Sequence, residues 1–328
     1  MQSDVIAEDA AREMPASYQL RPSLITDGGY RLLTLSAAIL VVLCLLGIFL
    51  LLVVESLPAF QRFGLGFVTT MAWNPVRELF GGLAPMYGTL VTSVIAMLIA
   101  VPLAFGTAFF VNELCPHRLR GPITLGVELL AAIPSIIYGM WGLFVLAPIL
   151  ALYVQPFLIA VIGPIPVLGA LFQGPPFGIG MLTAGAILGV MVTPYIAAVA
   201  RQVIADVPPL LREAAYGVGA TRWEVYRYVL MPYASKGLMG GVMLGLGRAL
   251  GETMAVTFVI GNAHRISMSL LAPATTISAT LANEFTEAVG DLYVSSLLGL
   301  GLILFVITFV VLAIARFLLA QHSHEVKF

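Results

Sequence analysis

The sequence predicts an all-α integral membrane protein with six transmembrane helices. Its 328 residues are 60% hydrophobic and only 10% charged, and the mean hydropathy is +1.00, whereas soluble domains carry about 25% charged residues. Several apolar runs reach the roughly 20 residues that a helix needs to cross a bilayer. Lipid leaves the backbone without water, and the runs lack the period-2 alternation of a barrel, so each run is predicted to be a helix.

The predicted spans cover residues 32–54, 85–111, 122–150, 177–199, 237–262 and 293–320. The first run is too long for the core of a signal peptide and follows an acidic segment, so we expect it to remain as an anchor. Residues 1–31 and 321–328 are then cytoplasmic tails. Without a visible repeat or linker, residues 32–320 are predicted to form one membrane domain.

The basic residues predict the orientation of the six spans. If both termini are cytoplasmic, twelve Lys and Arg lie on that side, against three outside. Such an excess is typical of cytoplasmic loops. The inner set is Arg12, Arg21, Arg31, Arg118, Arg120, Arg201, Arg212, Arg222, Arg227, Lys236, Arg316 and Lys327, and the outer set is Arg62, Arg77 and Arg265.

The apolar segment 152–172 resembles a seventh span. A seventh crossing would move the basic loop 200–236 outside, and several prolines and glycines interrupt the segment, which disfavours a continuous helix. We therefore expect an interfacial or re-entrant outer segment. The interrupting residues are Pro156, Gly163, Pro164, Pro166 and Gly169.

Neither cysteines nor histidines predict a metal site. Cys44 and Cys115 differ in membrane depth, which gives no disulfide framework. The tail residues His322 and His324 have no Cys or carboxylate constellation around them, so a solvated tail is the preferred interpretation.

The loop 200–236, between the fourth and fifth spans, carries signals for two short helices. Asp206 with Pro208 and Pro209 predicts a helix start, and Gly217 with Gly219 predicts its stop. Thr221 and Glu224 have capping-box spacing and open a second helix, which Pro232 should interrupt or end. An ordinary hairpin between two spans is the alternative interpretation.

The same loop carries a family motif. Glu213, Ala214, Ala215 and Gly219, followed by Val229 and Pro232, resemble the EAA signature of ATP-binding-cassette (ABC) importer permeases, with Val229 and Met231 as conservative departures. The resemblance implies a type I importer permease fold of the MetI-like kind. It also implies that the loop is a coupling helix that docks on a separate ATPase subunit.

The chain lacks the residues of an ATP site. A Walker A loop needs Gly-Lys-Ser/Thr, but Lys236 is followed by Gly and Lys327 by Phe. ATP and Mg²⁺ are therefore expected on a partner ATPase, with no cofactor and no catalytic residue on this chain.

Arg248 and Glu252 are two charges within the predicted fifth span. At 100° per residue, both share a helix face with Gly241 and Gly245. Gly237, Gly241 and Gly245 form a small-xxx-small ladder that lets another helix approach. The charged face is therefore predicted to point into protein, and Glu252 is expected to pair with Arg248.

Two roles remain open for this pair. It is either a buried strut that fixes helix rotation or part of an anion path, since a guanidinium matches tetrahedral oxyanions and a carboxylate partner leaves it exchangeable. In the third span, Pro134 and Gly139 predict a broken helix whose free N–H groups, with Ser135, face an anion. A plain proline kink is equally consistent, and Glu128 faces either the cytoplasmic mouth or a basic partner.

A narrower resemblance covers residues 30–320. ELLAAIPSIIYGMWGLF, GLGRALGETMAVTFVIGN and LANEF are similar to PstC-type permeases of phosphate-specific transport (Pst) systems. The resemblance implies an inner-membrane phosphate path shared with a homologous PstA-like permease, a PstB-like ATPase dimer and a periplasmic PstS-like phosphate-binding protein that meets outer loops 55–84 and 263–292. It also associates Arg248 and Glu252 with phosphate passage. A sulfate or molybdate permease, or a stand-alone anion channel or carrier, is the alternative.

Overall fold

The structure is a computed structural model that describes residues 24–322, with side chains described for residues 28–317. The chain divides into two compact units, residues 1–51 and 52–328. The described part of the first unit is the beginning of helix Leu24–Phe63, and its side chains are almost all exposed. Residues 1–23 and 323–328, which include His324 and most of both predicted tails, lie outside the described residues.

Six helices within residues 24–322 are long and apolar enough to cross a membrane, which confirms the predicted all-α class and the number of spans. The described residues form no β-strand. The spans, from first to sixth, are Gly28–Phe63, Leu83–Leu114, Ser135–Ile162, Met181–Ala205, Arg222–Leu250 and Asp291–Phe317.

Two spans were predicted with the wrong boundaries at both ends. Residues 122–132 belong to a separate helix, His117–Ala132, and the third span begins after Pro134 and runs to Ile162. The fifth span begins at Arg222 and ends at Leu250, so residues 251–262 lie beyond it. Hydropathy does not register such breaks, because apolar residues such as Leu129, Leu130 and Ile133 run up to the break and further apolar residues follow it.

The segment 152–172 was also predicted incorrectly in its first half. Gln155–Ile162 is the last part of the third span. The connection that follows begins after Ile162 and contains a short 3₁₀ helix, Gly169–Phe172. Among residues 24–322 there is no seventh candidate span.

Four π-helical turns among residues 24–322 each precede a proline, and after three of them the helix continues through the proline, whereas the second span ends before Pro116. A proline lacks the N–H that bonds the carbonyl four residues earlier and clashes with that carbonyl. A π turn directs carbonyls to the residue five positions on and widens the helix. In each case a proline follows two residues after the turn: Phe110–Leu114 before Pro116, Gly142–Leu146 before Pro148, Leu150–Val154 before Pro156, and Val225–Leu230 before Pro232. Pro232 therefore neither ends nor interrupts the fifth span, contrary to expectation.

The fourth span is the centre of the second unit. In its most apolar window 61% of the residues are buried, against at most 28% in the other spans. Glycines allow this close packing: a Cβ on Gly185 or Gly189 would meet Ile95 or Ile99 of the second span within 3.0 Å. The fourth span therefore holds the second and fifth spans in place.

The second unit has two ends that differ in chemistry. The basic end comprises the end of the second span at Glu113, helix His117–Ala132, the end of the fourth span and helix Pro209–Gly217, which are joined by arginine contacts. The aromatic end contains Trp73, Phe80, His264, Glu284 and Tyr293, whose rings and carboxylate contact one another.

Candidate translocation path and coupling surface

Arg248 lies in the last turn of the fifth span, two residues before the helix ends at Leu250. Its side chain is exposed in the single chain, and its guanidinium carbon lies 5.7 Å from the centre of the Tyr195 ring on the fourth span. Arg248 is also within electrostatic range of the Tyr138 hydroxyl at the start of the third span. The exposed guanidinium therefore lies at the end of the fifth span, beside the third and fourth spans.

Glu252 does not share a helix with Arg248, so the prediction that four residues form one charged helix face was wrong. The helix ends at Leu250, and Glu252 precedes the short helix Met254–Val259, where its Oε1 accepts the Ala255 N–H at 3.4 Å. Among the ion pairs of the described residues there is none between Arg248 and Glu252. The projection at 100° per residue failed because it assumed a helix through Gly251.

The third span breaks at Pro134, as predicted, but not at Gly139. Ile133 and Pro134 are extended, and Ser135 is the first residue of the helix that follows. Gly139 lies inside that helix, where a Cβ would stand 3.0 Å from Ala255 Cα and 2.7 Å from Phe258 Cδ2. The start of the third span thus packs against helix Met254–Val259, which brings the two chain breaks together.

The glycine ladder of the fifth span faces the fourth span. A Cβ on Gly237, Gly241 or Gly245 would meet Val203, Val199 or Ile196, respectively, at 2.5–3.0 Å. The ladder consequently fixes the rotation of the fifth helix, and with it the direction of Arg248.

Glu128 pairs with Arg201 of the fourth span at 2.9 Å, which resolves the two alternatives left open by the sequence.

The EAA motif forms an exposed corner. Glu213 and Ala214 are exposed on helix Pro209–Gly217, and Ala215 packs against the apolar cluster beneath. Gly219 has φ +89°, a left-handed conformation that favours glycine and turns the chain. The capping box predicted for Thr221 and Glu224 is confirmed, with both reciprocal hydrogen bonds present. The corner therefore presents a small, smooth surface on a well-defined turn.

Sequence reasoning missed Glu113, the residue to which this corner is attached. It lies in the π turn that ends the second span, and its carboxylate contacts Arg212 at 3.6 Å and the Tyr216 hydroxyl at 3.4 Å. Burial and the Glu113 carboxylate raise the pKa of the Tyr216 phenol. The only sequence signal was an acid at the end of an apolar run, next to a basic loop.

A second cluster that the sequence did not reveal lies at the aromatic end. Glu284 Oε2 accepts hydrogen bonds from Trp73 Nε1 at 2.5 Å and Tyr293 Oη at 2.7 Å, and His264 stacks on Trp73 with its Nε2 3.5 Å from Glu284 Oε1. Burial lowers the pKa of His264 to about 4. Burial also raises the pKa of Glu284, against the two hydrogen bonds, which act to lower it.

Neither cluster has the ligands of a metal centre. Within the described part of the chain, no group of three or more His, Cys, Asp and Glu could hold a metal ion. Nearby, a cavity of about 340 Å³ lies between residues 173–177 and 265–273, with Arg265 and Ser267 on its wall.

Known proteins resemble this chain along most of its length. Residues 100–322 match the family described as "Binding-protein-dependent transport system inner membrane component". "Phosphate transport system permease protein PstC" of Mesorhizobium japonicum is 61% identical over 302 residues, covering 92% of each chain. The protein of that name from Pasteurella multocida is 53% identical over 292 residues, covering 89% of this chain and 91% of the relative.

The fold is shared with a more distant group of solved structures. A bacterial alginate ABC transporter in complex with an alginate-bound periplasmic protein aligns with a TM-score of 0.60 at 17% identity, covering 92% of this chain and 98% of that chain. A second alginate importer structure gives a TM-score of 0.57 at 18% identity, covering 93% and 99%. At this identity the likeness concerns the fold, which is that of an ABC importer permease.

Proposed function

Because the chain belongs to the family of binding-protein-dependent transport system inner membrane components, we propose that it is the transmembrane permease subunit of an ATP-driven importer of inorganic phosphate. Family membership and the six apolar helices make it a multi-pass membrane protein. The observation that carries the substrate is the 61% identity, over 92% of both chains, to a phosphate transport permease.

The proposed assembly contains four kinds of subunit. This chain and a homologous PstA-like permease line the path, a PstB-like ATPase dimer binds ATP and Mg²⁺, and a PstS-like protein delivers phosphate. Exposure of Arg248 in the single chain supports a shared path, since a second permease would cover the exposed guanidinium. An arginine at membrane depth normally faces such an interior or a water-filled cavity.

The proposed location is the bacterial cytoplasmic membrane with both termini inside. The basic end then faces the cytoplasm, in keeping with the excess of arginines there. The aromatic end and the cavity beside Arg265 face the binding protein.

In the proposed path, Arg248 attracts the anion. Glu252 and Ser135 lie at the two adjacent chain breaks. The absence of an Arg248–Glu252 ion pair among the described residues leaves the guanidinium fork open to a tetrahedral oxyanion. Backbone N–H groups at the start of the third span supply further donors.

In the proposed coupling step, Glu213, Ala214 and Ala215 dock on the ATPase, and Gly219 maintains the turn that presents them. Glu213→Lys should leave the fold intact because the side chain is exposed. Phosphate uptake should then fall while ATP hydrolysis continues, and ordinary uptake in this variant would contradict the coupling role.

The deciding experiment compares Arg248→Gln with the control Arg227→Gln in the complete complex, reconstituted with its binding protein. The control arginine also lies near a tyrosine ring, at 5.8 Å, but at the basic end of the fifth span. Arg248→Gln should abolish phosphate uptake while assembly and binding-protein-stimulated ATP hydrolysis persist, and Arg227→Gln should transport normally.

Other outcomes would identify other functions. Surviving uptake in Arg248→Gln would make Arg248 a structural strut. Uptake of sulfate or molybdate in preference to phosphate would change the substrate. Anion flux through vesicles containing only this chain would indicate a channel or carrier.

A further inference from the structure

The geometry points to Glu113 as the positioning residue through which the coupling loop acts on the second and fourth spans. The Glu113 clamp consists of Glu113, Arg212, Tyr216 and Arg222. This inference rests on the proposed function, because it assigns a path for the movement that the ATPase imposes on the loop.

Glu113 receives contacts from both sides of the loop. From helix Pro209–Gly217, Arg212 Nη1 lies 3.6 Å from its Oε1 and Tyr216 Oη donates to its Oε2 at 3.4 Å. From the start of the fifth span, Arg222 Nη1 donates to its backbone carbonyl at 3.3 Å. A single residue of the second span therefore contacts the loop helix and the helix that follows.

Arg212 extends the clamp to the fourth span. Its Nη2 donates to the Ile204 carbonyl at 2.5 Å, at the end of that helix. Arg212 and Tyr216 are four residues apart and both reach Glu113 from one side of the loop helix, although the Tyr216 ring is partly exposed. Glu213 and Ala214 are exposed. A force applied at Glu213 thus reaches the second and fourth spans through Arg212.

Within the clamp, the Glu113–Arg212 pair is largely buried but not fully bonded, whereas Tyr216 and Arg222 are exposed. The Glu113 side chain is only 7% exposed and that of Arg212 24%, yet Glu113 Oε1 and Arg212 Nε are both buried without a hydrogen-bond partner. Native proteins rarely leave such atoms unpaired. A small shift of the loop helix would let the two groups bond directly, so the clamp has a second, tighter arrangement available.

The spans remain joined when the clamp is weakened. Asn112 Nδ2 donates to the Arg201 carbonyl at 3.0 Å, which joins the second span to the fourth. Arg120 Nε donates to the Val111 carbonyl at 2.9 Å, which joins the second span to helix His117–Ala132. Loss of the Glu113 charge should therefore loosen the loop without separating the second span from the fourth.

The test uses Glu113→Gln in the complete reconstituted complex, with Glu128→Gln as control. The control removes a carboxylate at the same end that pairs with Arg201 and does not touch the loop helix. Glu113→Gln should lower phosphate taken up per ATP hydrolysed by about tenfold, within the range known for residues that carry coupling. Basal hydrolysis should persist, and the control should keep the wild-type ratio.

Amide hydrogen exchange provides a readout that does not depend on phosphate. In Glu113→Gln, amides of residues 209–217 should exchange about tenfold faster, while those of the fourth span keep their protection. Tyr216→Phe removes only the 3.4 Å contact and should give a smaller change in the same direction. It also keeps the inference testable if Glu113→Gln fails to assemble.

A double variant separates the clamp from independent effects. In the double variant Glu113→Gln with Arg212→Gln, the loss of coupling should be smaller than the product of the two single losses, because both substitutions remove the shared Glu113–Arg212 contact. The inference would be overturned if the losses of the two single variants multiplied in the double variant. It would also be overturned if Glu113→Gln changed neither the phosphate taken up per ATP hydrolysed nor the amide hydrogen exchange. A wild-type complex that hydrolyses ATP without taking up phosphate would overturn the proposed function alone, and the exchange data would still decide the clamp.

Discussion

The basic and aromatic ends of this protein hold a carboxylate by opposite means. At the aromatic end, Glu284 accepts short hydrogen bonds of 2.5 and 2.7 Å from Trp73 and Tyr293, within stacked rings. At the basic end, Glu113 has contacts of 3.4 and 3.6 Å and keeps an unbonded oxygen. The difference indicates that the contacts of the aromatic end are fixed and that those of the basic end can adjust. The basic end also carries the proposed ATPase surface.

The largest effect should come from removing the carboxylate of the fixed end. Glu284→Ala leaves the half-buried Trp73 and Tyr293 donors without their acceptor, and two such unpaired groups cost about 4 kcal/mol of unfolding free energy. Glu287→Ala, on an exposed neighbour, should change little. Thermal unfolding of both purified variants measures this, and equal melting temperatures would show that the aromatic end is not fixed by Glu284.

A glycine pair in the second span should sharpen the contrast between the ends. A Cβ on Gly88 would overlap the Thr275 backbone carbonyl, whereas Gly106, farther along the same helix, has nothing within 4 Å. Gly88→Ala should destabilise by about 3 kcal/mol through overpacking. Gly106→Ala should be neutral or stabilise by up to about 1 kcal/mol through helix propensity. Denaturation of the two variants in parallel tests the difference, and similar values would remove the contrast.

The neutral His264 gives the aromatic end a pH dependence of predictable sign. Its pKa is about 4 in the folded protein because of burial, so between about pH 6.5 and 4 the unfolded chain binds the extra proton. Stability should therefore fall as the pH drops through this window, by about 1 kcal/mol per pH unit. Glu284, whose pKa is raised, acts in the opposite sense, since its contribution is lost as the pH rises.

The variant His264→Gln isolates the histidine part of that dependence. Its unfolding free energy should vary less steeply than the wild type between about pH 6.5 and 4. Parallel slopes for the two proteins would contradict a neutral, buried His264.

The smallest effect belongs to the exposed ion pair of the basic end. Glu128 is 51% exposed in its 2.9 Å contact with Arg201, and such pairs contribute about 0.5 kcal/mol. Glu128→Gln should lower stability by no more than this, and the loss should shrink at high salt. A loss comparable to that of Glu284→Ala would show that the basic end is as tightly fixed as the aromatic end.

Several local features were predictable because their causes are local. The start of helix Pro209–Gly217, its glycine stop and the Thr221–Glu224 capping box depend on residues within a few positions of one another. The break at Pro134 was predictable for the same reason.

Features that depend on distant residues were predicted poorly. The break after Leu250 moved Glu252 away from Arg248, although the intervening residues look helical. Pro232 was expected to disturb a helix that a preceding π turn allows to continue. The sequence did not indicate a role for Glu113, because its contact partners lie about 100 residues later in the chain.

The sequence by itself determined the membrane class, the six spans and the EAA corner, because hydropathy and short-range capping are properties of consecutive residues. Only the tertiary structure decided which breaks meet beside Arg248, which carboxylate holds the loop 200–236 and how the aromatic end is closed. The reason is physical: burial, ion pairing and close helix approach arise between residues that are far apart in the chain.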